Sequence, residues 1–106
     1  MANCKDDFIK ETNGKNVLCA EITNGRGYWD DERKKKVILP IGYSDSAMHN
    51  FLQAINYQYD SGYGGQEVYG TIWYADGTWS ERREYDGSEW WEHKSCPQIP
   101  DDMKGV

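Results

Sequence analysis

Four glutamates, Glu81, Glu84, Glu89 and Glu92, crowd the stretch 81–92. Two carboxylates on adjacent strands could stand at the separation a glycosidase uses, one as acid and the other as nucleophile or base. Against that chemistry, Arg82 and Arg83 are interleaved with the acids and would pair with them. His93-x-x-Cys96, with Cys4 and His49 elsewhere, offers zinc-type ligands. A structural zinc site is usually built from two close ligand pairs, and here there is one. Ser61 follows Asp60, but the stretch lacks the G-x-S-x-G elbow that exposes a serine nucleophile. "GYGG" (62–65) is glycine-rich without the lysine of a phosphate loop or the spacing of a dinucleotide fingerprint. No catalytic residue, metal ligand set or cofactor follows from these patterns, and a non-enzyme is expected.

The aromatics carry a stronger signal. Trp73, Trp79, Trp90 and Trp91, four of the five tryptophans, lie in "TIWYADGTWSERREYDGSEWW" (71–91) beside two adjacent arginines. Trp, Tyr and Arg are the side chains enriched where proteins bind one another. The same residues could instead ladder a sheet together, an arginine over an indole face stabilising by roughly 0.5–2 kcal/mol. Exposed Trp and Tyr near carboxylates would also suit stacking on sugar rings. A carbohydrate or small-ligand module is therefore the alternative to a protein-binding one.

Strands must position these residues. Asp76-Gly77 and Asp86-Gly87 separate three runs, 67–75, 78–85 and 88–95, whose β-branched and aromatic content suits a sheet. "DFIKE" and "KNVLCAEI", separated by Asn13-Gly14 and followed by Asn24-Gly25, read as a short N-terminal meander. "VILP" (37–40) reads as a short strand that Pro40 ends. "DDERKKK" (30–36) is a solvated turn with locally compensated charge. One helix is expected at about 45–56. Ser44 or Asp45 caps it, and Ala47, Met48, Phe51, Leu52 and Ile55 form one apolar face, with His49, Asn50 and Gln53 turned away. The segment 56–66, with Tyr57, Tyr59 and Tyr63, reads as a flexible loop, and the prolines of "CPQIPDD" prevent a further strand. The expected fold class is α+β: an antiparallel sheet of hairpin-linked strands, one helix packed on one face, in a single domain spanning 1–106.

Register decides which aromatics meet solvent, because a slip of one residue exchanges the faces. A two-residue Asp-Gly turn pairs Tyr74 with Trp79 and Arg83 with Trp90. A three-residue turn with a glycine bulge pairs Trp73 with Trp79 and Arg82 with Trp90. "Ala-Asp-Gly" and "Tyr-Asp-Gly" favour the bulged form at both hairpins. Tyr69, Trp73, Trp79, Arg83, Trp91 and His93 then share one face, and Val68, Ile72, Tyr74, Arg82 and Trp90 the other. The helix can cover only one of them. Tyr63, Tyr69, Trp73, Trp79, Arg83 and Trp91 are the expected partner-binding residues.

The formal net charge of −6 disfavours direct binding to nucleic acid or to an anionic membrane, but allows a basic partner, including a protein that itself grips nucleic acid. The start "MANCKDDFIK" does not read as a signal peptide, no run is apolar enough for a membrane span, and "DDMKGV" carries no anchor signal. Three cysteines cannot all pair, which suits reduced thiols and a cytoplasmic setting.

The segment "YDSGYGGQEVYGTIWYADGTWSERREYDGSEWWEHKSCPQIP" (59–100) resembles a group of small bacteriophage accessory proteins that share an aromatic-rich GTIW/DGTW/EYDGSEWWE hairpin pair and a proline-containing tail. The resemblance covers under half of the chain. It implies a viral protein that acts by binding a host bacterial protein, for instance as an inhibitor of CRISPR or another defence system. It implies no catalytic residue.

Overall fold

The computed structural model describes residues 2–25, 35–60 and 65–97. The elements in chain order are β1 (Ala2–Asn3), α1 (Cys4–Thr12), β2 (Val17–Asn24), β3 (Lys35–Leu39), α2 (Asp45–Ala54), β4 (Gln58–Tyr59), β5 (Val68–Tyr74), β6 (Trp79–Tyr85) and β7 (Ser88–Lys94). Five strands form an antiparallel sheet in the order β3-β2-β5-β6-β7, and β1 pairs with β4 in a separate two-stranded ribbon. The α+β class is as expected, with a second helix added.

That helix is α1, where a strand was expected. Its nine residues begin with a polar cap: the Asn3 side chain accepts from the Asp6 N–H at 3.0 Å. Asp6 and Asp7 sit in the first turn, where the helix dipole favours negative charge. Cys4 and Phe8, one turn apart, are buried. The Phe8 ring meets Phe51 of α2 edge-to-face, with centroids 5.2 Å apart. Gly14, with φ at +77°, belongs to the turn from α1 into β2 and not to a hairpin. A helix this short is marginal alone and is held by what it packs on.

The expected helix, α2, is present. Ser44 is its cap, accepting from the Ala47 N–H at 3.1 Å. Phe51 and Ile55 are buried, Met48 and Leu52 pack against the core, and His49, Asn50 and Gln53 are exposed. Both helices contribute to one core with Ala20, Ile22, Leu39, Val68, Ile72 and Tyr74 from the same face of the sheet. The opposite face has no helix over it among the described residues.

The two hairpins solve the same Asp-Gly sequence differently. In β5–β6, Trp73 lies opposite Trp79 and Gly77 takes φ +88°, the expected bulged form. Asp76 fastens that turn by accepting from the Thr78 N–H at 2.9 Å and hydroxyl at 2.6 Å. These bonds hold the exposed Asp76 carboxyl below its ordinary pKa. In β6–β7 the turn has two residues, correcting the expectation: Tyr85 pairs with Ser88 and Arg83 with Trp90. Asp86 at φ 52° and Gly87 at φ 85° are the two positive-φ residues that a type I′ turn needs.

The segment 56–60 is not a free loop. Gln58 and Tyr59 pair with β1, and the Tyr59 ring is buried in the core. Among the described residues, no helix is long and apolar enough to cross a membrane.

Candidate functional site

The sheet's register builds the open face. On β5 the residues facing away from the helices are Tyr69, Thr71 and Trp73, and on β6 they are Trp79, Glu81, Arg83 and Tyr85. The two-residue second turn sets β7 so that Trp90, Glu92 and Lys94 join them, while Glu89, Trp91 and His93 pair with the inward-facing side of β6. Tyr69, Trp73, Trp79 and Arg83 therefore share one face as expected. Trp91 does not: it packs partly buried against the core, and Trp90 takes its place outside. Tyr63 lies outside the described residues.

Four aromatics on this face keep a large exposed area: Tyr69 at 44%, Trp73 at 40%, Trp90 at 43% and, at the end of β6 beside the second turn, Tyr85 at 77%. Trp73 and Trp79 are direct cross-strand partners, as are Arg83 and Trp90. Toward the other edge, Cys19 of β2 lies opposite Trp73, and exposed Ile38 of β3 lies opposite Glu21. The charges among these apolar groups neutralise one another. Lys94 reaches Glu81 at 2.6 Å, Arg83 reaches Glu92 at 3.0 Å, and Lys36 reaches Glu21 at 3.2 Å. The hydrogen bond from Lys94 holds the Glu81 carboxyl below its ordinary pKa. The face is thus an aromatic surface whose charges are already paired, each pair being solvent-exposed and worth little for stability.

The inner face of the same strands carries the buried polar network that sequence reasoning missed. The guanidinium of Arg82 donates to Glu89 at 2.7 Å, with both side chains almost wholly removed from solvent. Glu89 also accepts from the backbone N–H groups of Glu67 and Val68 at 2.8 and 2.9 Å. Arg82 lies over two rings, 5.5 Å from the Tyr59 centroid and 5.2 Å from that of Trp91. The arginine–tryptophan stack is realised here, in the interior. A sequence signal existed in the spacing: a two-residue turn brings Arg82 opposite Trp91 and turns Glu89 inward.

Neighbouring hydroxyls extend the network to α1. Tyr59 donates to the Asp7 carboxylate. Burial, followed by that bond, pushes the Tyr59 hydroxyl up to about 12. Ser80 donates to Glu11 at 2.6 Å and receives a bond from Tyr74 at 2.7 Å. Burial raises the pKa of Tyr74 also. Burial likewise raises Tyr57 and the Cys4 thiol. The Ser80–Glu11 bond fastens α1 to the sheet, the Tyr59–Asp7 bond fastens α1 to β4, and the bond that Arg82 donates to the Tyr59 hydroxyl at 3.2 Å fastens β4 to the sheet.

The glutamates and the histidine singled out for chemistry already have hydrogen-bond or ion-pair partners. Glu81, Glu89 and Glu92 are each held by a basic side chain, and Glu84 accepts from the Gly87 N–H at 2.8 Å. His93 is hydrogen-bonded to the Thr78 hydroxyl at 2.9 Å. Among the described residues no three His, Cys, Asp or Glu side chains gather into a metal-ligand group. Cys4, Cys19 and Cys96 are all unpaired thiols. Ser61 lies outside the described residues. No family model matches the chain, and neither a curated protein nor a solved structure matches it.

Proposed function

We propose that this chain is a non-enzymatic binding protein that uses the helix-free face of its sheet to occlude a surface on a protein partner. One observation carries the reading: Tyr69, Trp73 and Trp90 remain 40–44% exposed on a single face whose charges are internally paired. A surface of that kind offers aromatic contact area with little uncompensated charge to desolvate, the combination found at binding hot spots. The partner we favour is a host bacterial protein with a basic surface, such as a nucleic-acid-binding component of a defence system. The net charge of −6 supports a basic partner, and the resemblance of residues 59–100 to phage accessory proteins supports a host one. The site of action would be the host cytoplasm.

The test is affinity capture from bacterial lysate, with the Trp73→Ala, Trp90→Ala double variant as control and mass spectrometry as readout. The expected result is one host protein held by the parent and released by a variant whose circular dichroism is unchanged. Equal retention by parent and variant would remove the open face from the binding reaction. Glycans that shift the tryptophan fluorescence of a parent that captures no protein would favour sugar stacking instead.

A further inference from the structure

One short pattern, Thr-Asn-Gly followed by a base, occurs twice, as "TNGK" at 12–15 and "TNGR" at 23–26. Asparagine before glycine is set up for an internal reaction, in which the glycine nitrogen attacks the side-chain amide carbon. Glycine hinders that approach least, because it has no Cβ and the widest backbone freedom. Two copies of one pattern should react alike in an unfolded chain. A difference between them in the native protein therefore belongs to the fold.

The fold gives the two sites opposite surroundings. Asn24 ends β2 and is paired on both sides, with Lys35 of β3 and Val68 of β5. The Gly25 N–H, which would supply the attacking nitrogen, donates to the Glu67 carbonyl at 2.7 Å. The Tyr69 ring occupies the place where a Cβ on Gly25 would stand. Asn13 instead follows α1 with φ −59° and ψ 123°, and Gly14 takes φ +77°. These are the two central residues of a type II turn, closed by the Lys15 N–H donating to the Thr12 carbonyl at 3.0 Å. Both residues are exposed, and nothing lies within 4 Å of where a Cβ on Gly14 would stand. Among the described residues, no hydrogen bond engages the Asn13 carbonyl, the Asn13 side chain or the Gly14 N–H. The peptide group between Asn13 and Gly14 is free to rotate until its nitrogen meets the side chain. Rotation at Gly25 would break the bond to Glu67 beside a strand paired on both edges.

We propose that Asn13 is a site of spontaneous deamidation in the native protein and that the fold protects Asn24 from the same reaction. Base removes the Gly14 N–H proton, and the nitrogen bonds to Asn13 Cγ. The bond from Cγ to the side-chain nitrogen breaks, and that nitrogen leaves as ammonia, taking a proton from water. The product is a five-membered imide. Water then opens it at one of its two carbonyls, giving aspartate or isoaspartate, so that one water is consumed and one ammonia released overall. Either product places a new carboxylate beside the last turn of α1, where the helix dipole disfavours negative charge. Isoaspartate also adds a carbon to the main chain, which the Thr12–Lys15 turn does not accommodate. Helix α1 holds Tyr59 through Asp7 and Ser80 through Glu11, so the reaction loosens the docking of α1 and leaves the aromatic face untouched.

The test incubates full-length protein at mildly alkaline pH, folded and in urea, and follows both sites by mass spectrometry. Trypsin cuts after Lys10, Lys15 and Arg26, which separates residues 11–15 from residues 16–26. Converted peptides show the mass difference between an amide and an acid, and chromatography resolves aspartate from isoaspartate. In folded protein Asn13 should convert roughly tenfold or more faster than Asn24, which must first lose a hydrogen bond and its strand pairing. In urea the two rates should be equal. Asn13→Gln, which would have to close a larger ring, should leave the 11–15 peptide unconverted. The urea midpoint of the parent should fall as conversion proceeds, and that of the variant should not. Equal rates at the two sites in folded protein would overturn the proposal, as would an Asn13 that converts only in urea. A midpoint unchanged after full conversion of Asn13 would overturn its effect on α1.

Discussion

Arg82 and Glu89 leave solvent together, and each is the condition for burying the other. A lone charge in the interior is costly, while a pair with further hydrogen bonds is tolerable. Glu89 meets the condition with one guanidinium and two backbone donors. The pair does more than satisfy itself, since it ties β7 to β6 and to the segment leading into β5. Removing one member should therefore be far worse than removing an exposed pair such as Arg83–Glu92. We expect Glu89→Ala to lower unfolding free energy by roughly 3–5 kcal/mol and Glu92→Ala by roughly 0–1 kcal/mol, measured by urea denaturation. Similar losses in the two variants would show that the buried pair has no special role. The residue types were plain in the sequence, but their faces were not. "Tyr-Asp-Gly" is compatible with both turn forms, and only the inward demand of Glu89 and Trp91 selects the two-residue one.

At the scale of elements, legibility followed the strength of local signals. Helix α2 has a serine cap and apolar residues at helical spacing, and the three C-terminal strands are separated by Asp-Gly turns, so their positions were readable. Helix α1 has nine residues, and its short motif "DFIKE" reads as a strand in isolation because its buried partners, Phe51 and Tyr59, lie far along the chain. Its docking makes a pH-dependent prediction. Tyr59, Tyr57, Tyr74 and the Cys4 thiol all have raised pKa values, with burial as the leading cause, and all lie where α1 and β4 meet the core. The folded state therefore holds these protons more tightly than the unfolded chain does. The Tyr59 contribution is complete below the ordinary tyrosine value of 10 and is lost as pH rises through about 12. The urea midpoint should fall across that window, and Tyr59→Phe, which cannot ionise, should show a shallower fall. A variant that falls as steeply as the parent would remove Tyr59 from the account.

For the whole molecule the decisive property is that one sheet carries two unlike faces. Alternate residues of β5 show it most simply: Ile72 is fully buried under the helices, and Trp73 is 40% exposed on the other side. If the open face were a second core awaiting only better packing, its tryptophans would be as important to folding as the isoleucine is. If it is a surface kept for a partner, they should contribute little to the isolated chain beyond cross-strand contact. Ile72→Ala deletes a buried branched side chain and should cost roughly 2–5 kcal/mol. Trp90→Ala, although it removes more atoms, should cost no more than about 1–1.5 kcal/mol, the scale of an exposed cross-strand aromatic contact. Urea titrations read by circular dichroism can compare them without relying on tryptophan emission, and an unchanged slope would show that the same surface unfolds in each. The expected order, with the smaller side chain the more costly loss, inverts what residue size alone implies. A Trp90→Ala cost as large as that of Ile72→Ala would make the tryptophan structural and withdraw it from the binding surface. A small cost would leave a folded variant, so that any partner it fails to hold is lost through the face itself.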